Sequence, residues 1–398
     1  MFKTPPRSSL DEDLRARLDA LESHAIRRQL RPISSGIGPR IVVDGRSILQ
    51  FCSNDYLGIT SHPAVTRAAE MALSRYGTGA GSARLVVGTS SPHCELEEAL
   101  AQLKQTEAAL ALSSGYHANT GVLPALAGSE DRIFSDALNH ASIIDGCRLS
   151  RAATKIYRHN DVEHLTTLLS ATGTSRRRVI VTESVFAMDG DLAPLSELAS
   201  VAKQYDALLV VDEAHATGVF GSQGGGLVQE LELGAHVDVQ IGTLSKAIGA
   251  LGGYVAGSQT LIDTLINEAR TFIYTTALPP SVAASATAAI KVIIQEPERR
   301  EQLWQHARFL RKALAAAGYH INPGNSPILP VMVGDAAQAV ALSNALLTHG
   351  VLVSAIRPPT VPTGTARLRV TPMATHTEND LEQAVDAFIA AGRDTGYL

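Results

Sequence analysis

The chain has 398 residues, 45% of them hydrophobic and 18% charged, with a formal net charge of −5. That length allows two or three units with sizeable cores, and the mild acidity argues against a nucleic-acid or anionic-membrane surface. Cys52, Cys94 and Cys147 are isolated, no apolar run approaches the ~18 residues of a membrane span, and the first residues lack a secretory apolar segment, so a soluble cytoplasmic protein is expected.

Leu10, Leu14, Leu18, Leu21 and Ala25 recur at helical spacing, which predicts an amphipathic helix from Leu10 to about Leu30. A hairpin over 40–43 and 47–51 follows, turning at Asp44-Gly45. Together these pieces read as an N-terminal arm over residues 1–60. A helix over 63–76 then runs into the glycine-rich stretch 77–88. That stretch follows a helix rather than a strand and lacks G-x-G-x-x-G spacing, so it reads as a flexible substrate-side loop.

From about Ser91 to Ala256, helical patterns alternate with apolar runs at 108–112, 132–134, 154–157, 179–181, 208–211, 237–241 and 253–256. Such alternation implies an α/β unit over residues 61–280, with a mostly parallel seven-stranded sheet covered by helices on both faces. Function is then expected where strand C-termini meet loops. Arg176-Arg177-Arg178 reads as a solvated loop before a strand. Residues 281–398 read as long connector helices to about Ala317, followed by a smaller α+β unit. Its strands are expected near 328–333, 351–353 and 367–370, and its helices near 336–349 and 378–391.

The chemistry concentrates on the large unit. Lys246 is one of seven lysines, and it alone stands between an apolar run and a glycine-rich turn, in Thr243-Leu244-Ser245-Lys246-Ala247-Ile248-Gly249. About thirty residues earlier, Asp212-Glu213-Ala214-His215 closes the apolar run at 208–211. A lysine amine for a Schiff base, an acid for a pyridine nitrogen and an imidazole for a ring phenolate together suit pyridoxal phosphate. The bland alternatives are a snorkelling surface lysine and a capping acid. Asp-Glu-Ala-His also spells a helicase box, but the chain contains no Gly-Lys dipeptide and hence no Walker A loop. The run Ser113 to Asn119, between strand and helix, offers backbone N–H groups to a phosphate at Gly115 and Tyr116, and Thr243 could add a hydroxyl. Asn139-His140-Ala141-Ser142 follows the strand expected over Arg132 to Asp136, where the His140 imidazole can stack on a cofactor, and Ser184 sits at the same rim, within reach of the phenolate.

These segments, with Ser53-Asn54-Asp55-Tyr56-Leu57-Gly58 and Glu183-Ser184-Val185-Phe186-Ala187-Met188-Asp189-Gly190, resemble the α-oxoamine synthases over nearly the whole chain. Those are fold-type I pyridoxal phosphate enzymes that condense an amino acid with an acyl thioester and lose carbon dioxide. The stretch 355–369, Ala-Ile-Arg-Pro-Pro-Thr-Val-Pro followed by Gly364 to Arg369, looks like the biotin-pathway member, which joins L-alanine to a pimeloyl thioester of CoA or a carrier protein. The resemblance implies that Lys246 holds the cofactor and moves the α-proton. It also implies that Asp212 pairs with the pyridine nitrogen, His215 and Ser184 address the phenolate, and His140 stacks on the ring. Gly115, Tyr116 and Thr243 would serve the phosphate. Arg369 would grip the amino-acid carboxylate, and Asn54, Arg27 and Thr360 would line the substrate entrance. A homodimer is implied, with Thr275-Thr276 reaching the neighbouring subunit's phosphate, and no metal. The rival readings are a family member using glycine or serine with another acyl-CoA, and a non-catalytic binding module, which the intact lysine, acid and two histidines disfavour.

Overall fold

The computed structural model describes residues 9–23, 26–28, 30–173 and 175–398. At Asp44-Gly45 the backbone takes φ of 49° and 74°, the left-handed pair of a two-residue turn. It joins β1 (Arg40–Val43) to β2 (Arg46–Gln50) with Arg40 opposite Leu49.

The seven apolar runs become β3 (Ala108–Leu112), β4 (Arg132–Asp136), β5 (Ala153–Tyr157), β6 (Arg178–Glu183), β7 (Ala207–Asp212), β8 (Val239–Thr243) and β9 (Gly253–Gly257). They form one sheet in the order β3-β9-β8-β7-β6-β4-β5. All neighbours are parallel except β9, which runs antiparallel to both β3 and β8. Side chains alternate across the sheet, and the two faces feed separate cores. Leu209, Val211, Ile180, Phe134, Tyr254 and Ala256 belong to one. Val210, Val179, Val181, Ile133, Val255 and Ile241 belong to the other. Burial on both faces explains why these strands read as continuous apolar runs, each such side chain contributing roughly 1.5–3 kcal/mol.

The C-terminal unit holds β10 (Leu329–Gly334), β11 (Val351–Leu352), β12 (Ser354–Ile356) and β13 (Ala366–Val370), with helices Ala336–Thr348 and Glu378–Asp394. Strands β10 and β12 flank β13. The short β12 was not anticipated, because three residues carry too little alternation to register. Strand β2 also pairs in parallel with β11, and Leu49 and Phe51 join the C-terminal core. The hairpin is thus continuous with the C-terminal unit rather than with an arm formed by the first helix.

That first helix spans Ser9–Ser23, ending earlier than expected, and none of its residues is buried. Residues 26–28 and 30 are not helical, and Ala25 lies outside the described residues. The arginine triplet runs through a partly exposed loop into a strand, as expected, and its side chains are engaged. Arg176 pairs with Asp131, Arg177 donates to the Leu126 carbonyl, and Arg178 starts β6.

Just past the end of central strand β7, Lys104 and Glu213 form an ion pair with both side chains fully buried, and Lys104 also donates to the Gly225 carbonyl. The other Glu213 oxygen accepts from the Val228 N–H at 3.0 Å. Burial disfavours the ammonium, but Glu213 and Tyr254 outweigh it and hold Lys104 above the ordinary lysine value. Lys104→Met would leave the Glu213 carboxylate buried and uncompensated. Urea denaturation of that variant is expected to show a loss of about 3–5 kcal/mol.

Candidate active site

Parallel strands end together, so β6, β7 and β8 deliver Glu183, Asp212 and Thr243 to one rim, with Glu183 directly beside Asp212 in register. Asp212 is 7% exposed. Its Oδ1 accepts from the Ala214 N–H at 2.9 Å and its Oδ2 from Asn119 Nδ2 at 2.7 Å. Two hydrogen bonds leave lone pairs on this carboxylate for a cationic N–H.

The Asp212–His215 turn also buries His215, whose Nδ1 lies 2.7 Å from the Tyr56 hydroxyl. Burial comes first in lowering its pKa well below the ordinary histidine value, and Lys246, Arg369 and His140 push the same way, so the ring is neutral. Arg369 comes from β13 in the C-terminal unit. It donates to the Ala187 carbonyl at 2.6 Å, to Asn54 Oδ1 at 3.1 Å and to the Tyr56 hydroxyl at 3.2 Å.

On the other side, helix Gly115–Leu126 starts at Ser114, whose hydroxyl accepts from the His117 N–H at 3.1 Å. The first-turn N–H groups of Gly115 and Tyr116 have no helical partner and face an anion-binding position. The packing here is close: a Cβ on Gly115 would lie a tight 3.2 Å from Thr243 Cβ, and one on Gly253 would lie 2.3 Å from the Ser114 carbonyl oxygen, a clash that only glycine avoids. Thr243 Oγ1 donates to the Gly252 carbonyl at 2.8 Å and accepts from the Ser245 N–H at 3.1 Å. The Tyr116 ring is exposed and its hydroxyl bonds the Asp145 carboxylate.

His140 caps helix Ala141–Ser150, and its N–H donates to Glu183 Oε1 at 2.6 Å. Its Nδ1 lies 2.8 Å from Ser142 Oγ, which itself accepts from Asn119 Nδ2 at 3.0 Å. Asn119 therefore ties His140, through Ser142, to Asp212 by a single amide group. Its Oδ1 is buried without a partner.

Lys246 stands half-buried above this carboxylate rim, with no hydrogen bond or ion pair among the described residues. Burial lowers its pKa to about 8 against the pull of Asp212 and Glu183, with Arg369 adding repulsion. Glu183 is pushed up to about 8, by burial first and then by Asp212. An unpartnered amine, an open carboxylate, a neutral buried imidazole and an N–H cradle fit the chemistry of pyridoxal phosphate. Lys246 would take the aldehyde carbon, Asp212 the pyridine nitrogen, and Gly115 and Tyr116 the phosphate.

The other expected positions are placed as follows. Ser184 is fully buried with its hydroxyl turned onto the Asp212 carbonyl at 3.3 Å, so strand pairing rather than the ring rim orients it. Arg27 is exposed; its side chain pairs with Glu22 at 3.5 Å and its carbonyl accepts from Arg357. Thr275 and Thr276 lie beside Ala83 and Arg84, with Thr276 bridged to Ala83; their expected partner is a second subunit's phosphate. Thr360 does line a cleft of about 850 Å³ that begins at His140 and Glu183 and continues past Phe186, Met188, Val361 and Pro362. Arg28 reaches the Thr360 hydroxyl at 3.4 Å. Sequence reasoning gave no role to Tyr56, Asn119, Ser142 or Glu183, although all four lie inside segments it singled out. Their signal was their nearness to the named residues.

Residues 46–388 match the family model of aminotransferase class I and II. The 8-amino-7-oxononanoate synthase of Geobacter sulfurreducens is 48% identical over 96% of this chain and 98% of its own length. That of Anaeromyxobacter dehalogenans is 50% identical over 94% and 93%. Among solved structures, serine palmitoyltransferase from S. paucimobilis with bound PLP–myriocin aldimine superposes with a TM-score of 0.93. It is 35% identical and covers 98% of this chain and 100% of its own. Family model, full-length relatives and site geometry agree: the chain belongs to aminotransferase class I and II and, within it, to the α-oxoamine synthases, acyltransferases that use pyridoxal phosphate.

Proposed function

We propose that this chain condenses L-alanine with a pimeloyl thioester, releasing carbon dioxide and the thiol, as the 8-amino-7-oxononanoate synthases of biotin biosynthesis do. The observation that carries this reading is identity of 48% and 50%, at nearly full length, to relatives bearing that name, against 35% to a serine palmitoyltransferase. Bound pyridoxal phosphate supplies an electron sink for negative charge at the amino acid's α-carbon.

The chain's own residues do the rest. Arg369 is held by Ala187, Asn54 and Tyr56, and its remaining N–H groups bind the substrate carboxylate by charge-assisted hydrogen bonds. That grip sets which α-carbon bond is aligned for cleavage. Lys246, depressed to about 8, is available as a neutral amine near physiological pH and takes the α-proton. His140 covers the amino-acid side, fixed by Glu183 and Ser142. The apolar walls of the cleft accept a methylene chain, about 0.8 kcal/mol per buried CH₂.

A homodimer completes this reading. Leu10, Leu14 and Leu18 form an exposed stripe, and Val86, Val87 and Tyr274 are 74%, 80% and 72% exposed near Thr275-Thr276. A second copy covering these residues would place Thr275 and Thr276 at the partner's phosphate. Sedimentation of the purified chain is expected to give a two-subunit mass; a monomer at micromolar concentration contradicts it.

Thiol release from pimeloyl-CoA or pimeloyl carrier protein is expected with alanine. It should exceed release with glycine plus acetyl- or succinyl-CoA, and with serine plus palmitoyl-CoA. Faster turnover of serine with palmitoyl-CoA would overturn the substrate assignment. Lys246→Ala should lose at least ~10²–10⁴-fold in turnover. Without cofactor, the neutral fraction of the Lys246 amine rises with pH through about 8. Pulse labelling with acetic anhydride, read by mass spectrometry at that lysine, should therefore show an inflection there; a profile still rising steeply through pH 10 refutes it.

A further inference from the structure

Tyr56 lies in the Ser53–Gly58 segment and is fully buried, with its ring in the core that lines one face of the large sheet. Its hydroxyl has three neighbours: His215 Nδ1 at 2.7 Å, Arg369 Nη2 at 3.2 Å and Asn54 Oδ1 at 3.4 Å. A phenol carries one proton, and a guanidinium only donates, so Arg369 uses the phenol oxygen as an acceptor. The phenol proton then has two possible acceptors. Asn54 Oδ1 is the more distant and already accepts from Arg369 Nη1 at 3.1 Å. The 2.7 Å contact is the better hydrogen bond, which puts the proton between Tyr56 and His215 Nδ1. An imidazole that accepts at Nδ1 and is neutral carries its own proton on Nε2.

We infer that Tyr56 is a positioning residue: it holds His215 as the Nε2–H tautomer, so that the ring donates rather than accepts on the side away from Tyr56, and it links His215 to the carboxylate-binding Arg369. A donor at Nε2 suits a phenolate oxygen; the opposite tautomer would present a lone pair to it. The guanidinium polarises the phenol, strengthening the donation to His215. A carboxylate arriving at Arg369 is thereby felt at His215 through one hydroxyl group.

This rests on the reading that Lys246, Asp212 and His215 hold the cofactor, but its test needs no turnover. The chain is labelled with ¹⁵N-histidine, with and without pyridoxal phosphate, and His215→Gln identifies the His215 signals. The expected wild-type spectrum shows an unprotonated Nδ1 and a protonated Nε2 at His215. Tyr56→Phe keeps the ring and removes only the hydroxyl. It should give a mixture of tautomers at His215 and weaken cofactor retention roughly three- to tenfold, the effect of one hydrogen bond. Tyr319→Phe removes a buried hydroxyl bonded to the Phe388 carbonyl at 2.6 Å in the C-terminal unit, and should leave the His215 signals unchanged. A proton on Nδ1 in the wild type overturns the inference, as does a His215 spectrum that Tyr56→Phe does not alter. If Tyr56→Phe does not fold, the wild-type spectrum alone decides the tautomer. The expected spectrum combined with no thiol release from alanine and a pimeloyl thioester would remove the substrate assignment and leave this inference standing.

Discussion

A carboxylate at the end of a strand buried on both faces is the constraint around which this site is arranged. Asp212 lies at the C-terminal end of β7, in the middle of the seven-stranded sheet. Ionised there, it needs donors or a cation, since an uncompensated buried charge costs several kcal/mol. The Ala214 N–H and the Asn119 amide supply two donors, and the remaining lone pairs would take the pyridine N–H in the proposed reading. Glu183, its neighbour in register, cannot comfortably share the rim as a second anion and is pushed toward the protonated form. Lys246 is depressed by the same burial, so acid and base at this rim both approach neutral pH.

The turn that carries Asp212 is anchored from behind. Glu213 points the opposite way from its neighbours, into the Lys104 pair and the Val228 N–H, so the chain between Asp212 and His215 is pinned in the middle. From the front, Tyr56 and Arg369 meet beside His215. One belongs to the segment after β2 and the other to β13, and Thr371 ties β13 back to Phe51 and Ser53. The small unit therefore contributes directly to the site rather than only covering it.

Much of the fold was legible. Helix Pro63–Tyr76 and strand β3 match their expected bounds, because each combines a clear period with a sharp stop at Gly77 or Ser113. The first helix shows the limit: Leu10, Leu14, Leu18 and Leu21 have helical spacing, yet all are exposed. Periodicity reports which residues would share a face and says nothing of what covers it. In the site, Lys246, Asp212, His215 and His140 stood out as chemically unusual residues in distinctive local settings. Asn119, Ser142 and Tyr56 did not, because an amide or hydroxyl inside an apolar helix or core segment is ordinary until its partner is known.

The order of apolar runs, the strand-end acids and the single lysine before a glycine turn were determined by sequence alone, since each depends on spacing along one stretch of chain. The Asn119 amide on Asp212, the partners that meet His140 and His215, and the meeting of Arg369 with Tyr56 across 313 positions of sequence were decided only by the tertiary structure. Hydrogen bonds discriminate over tenths of an ångström, and the distance between residues on different elements is set by how the sheet and the small unit pack, not by their separation in the chain.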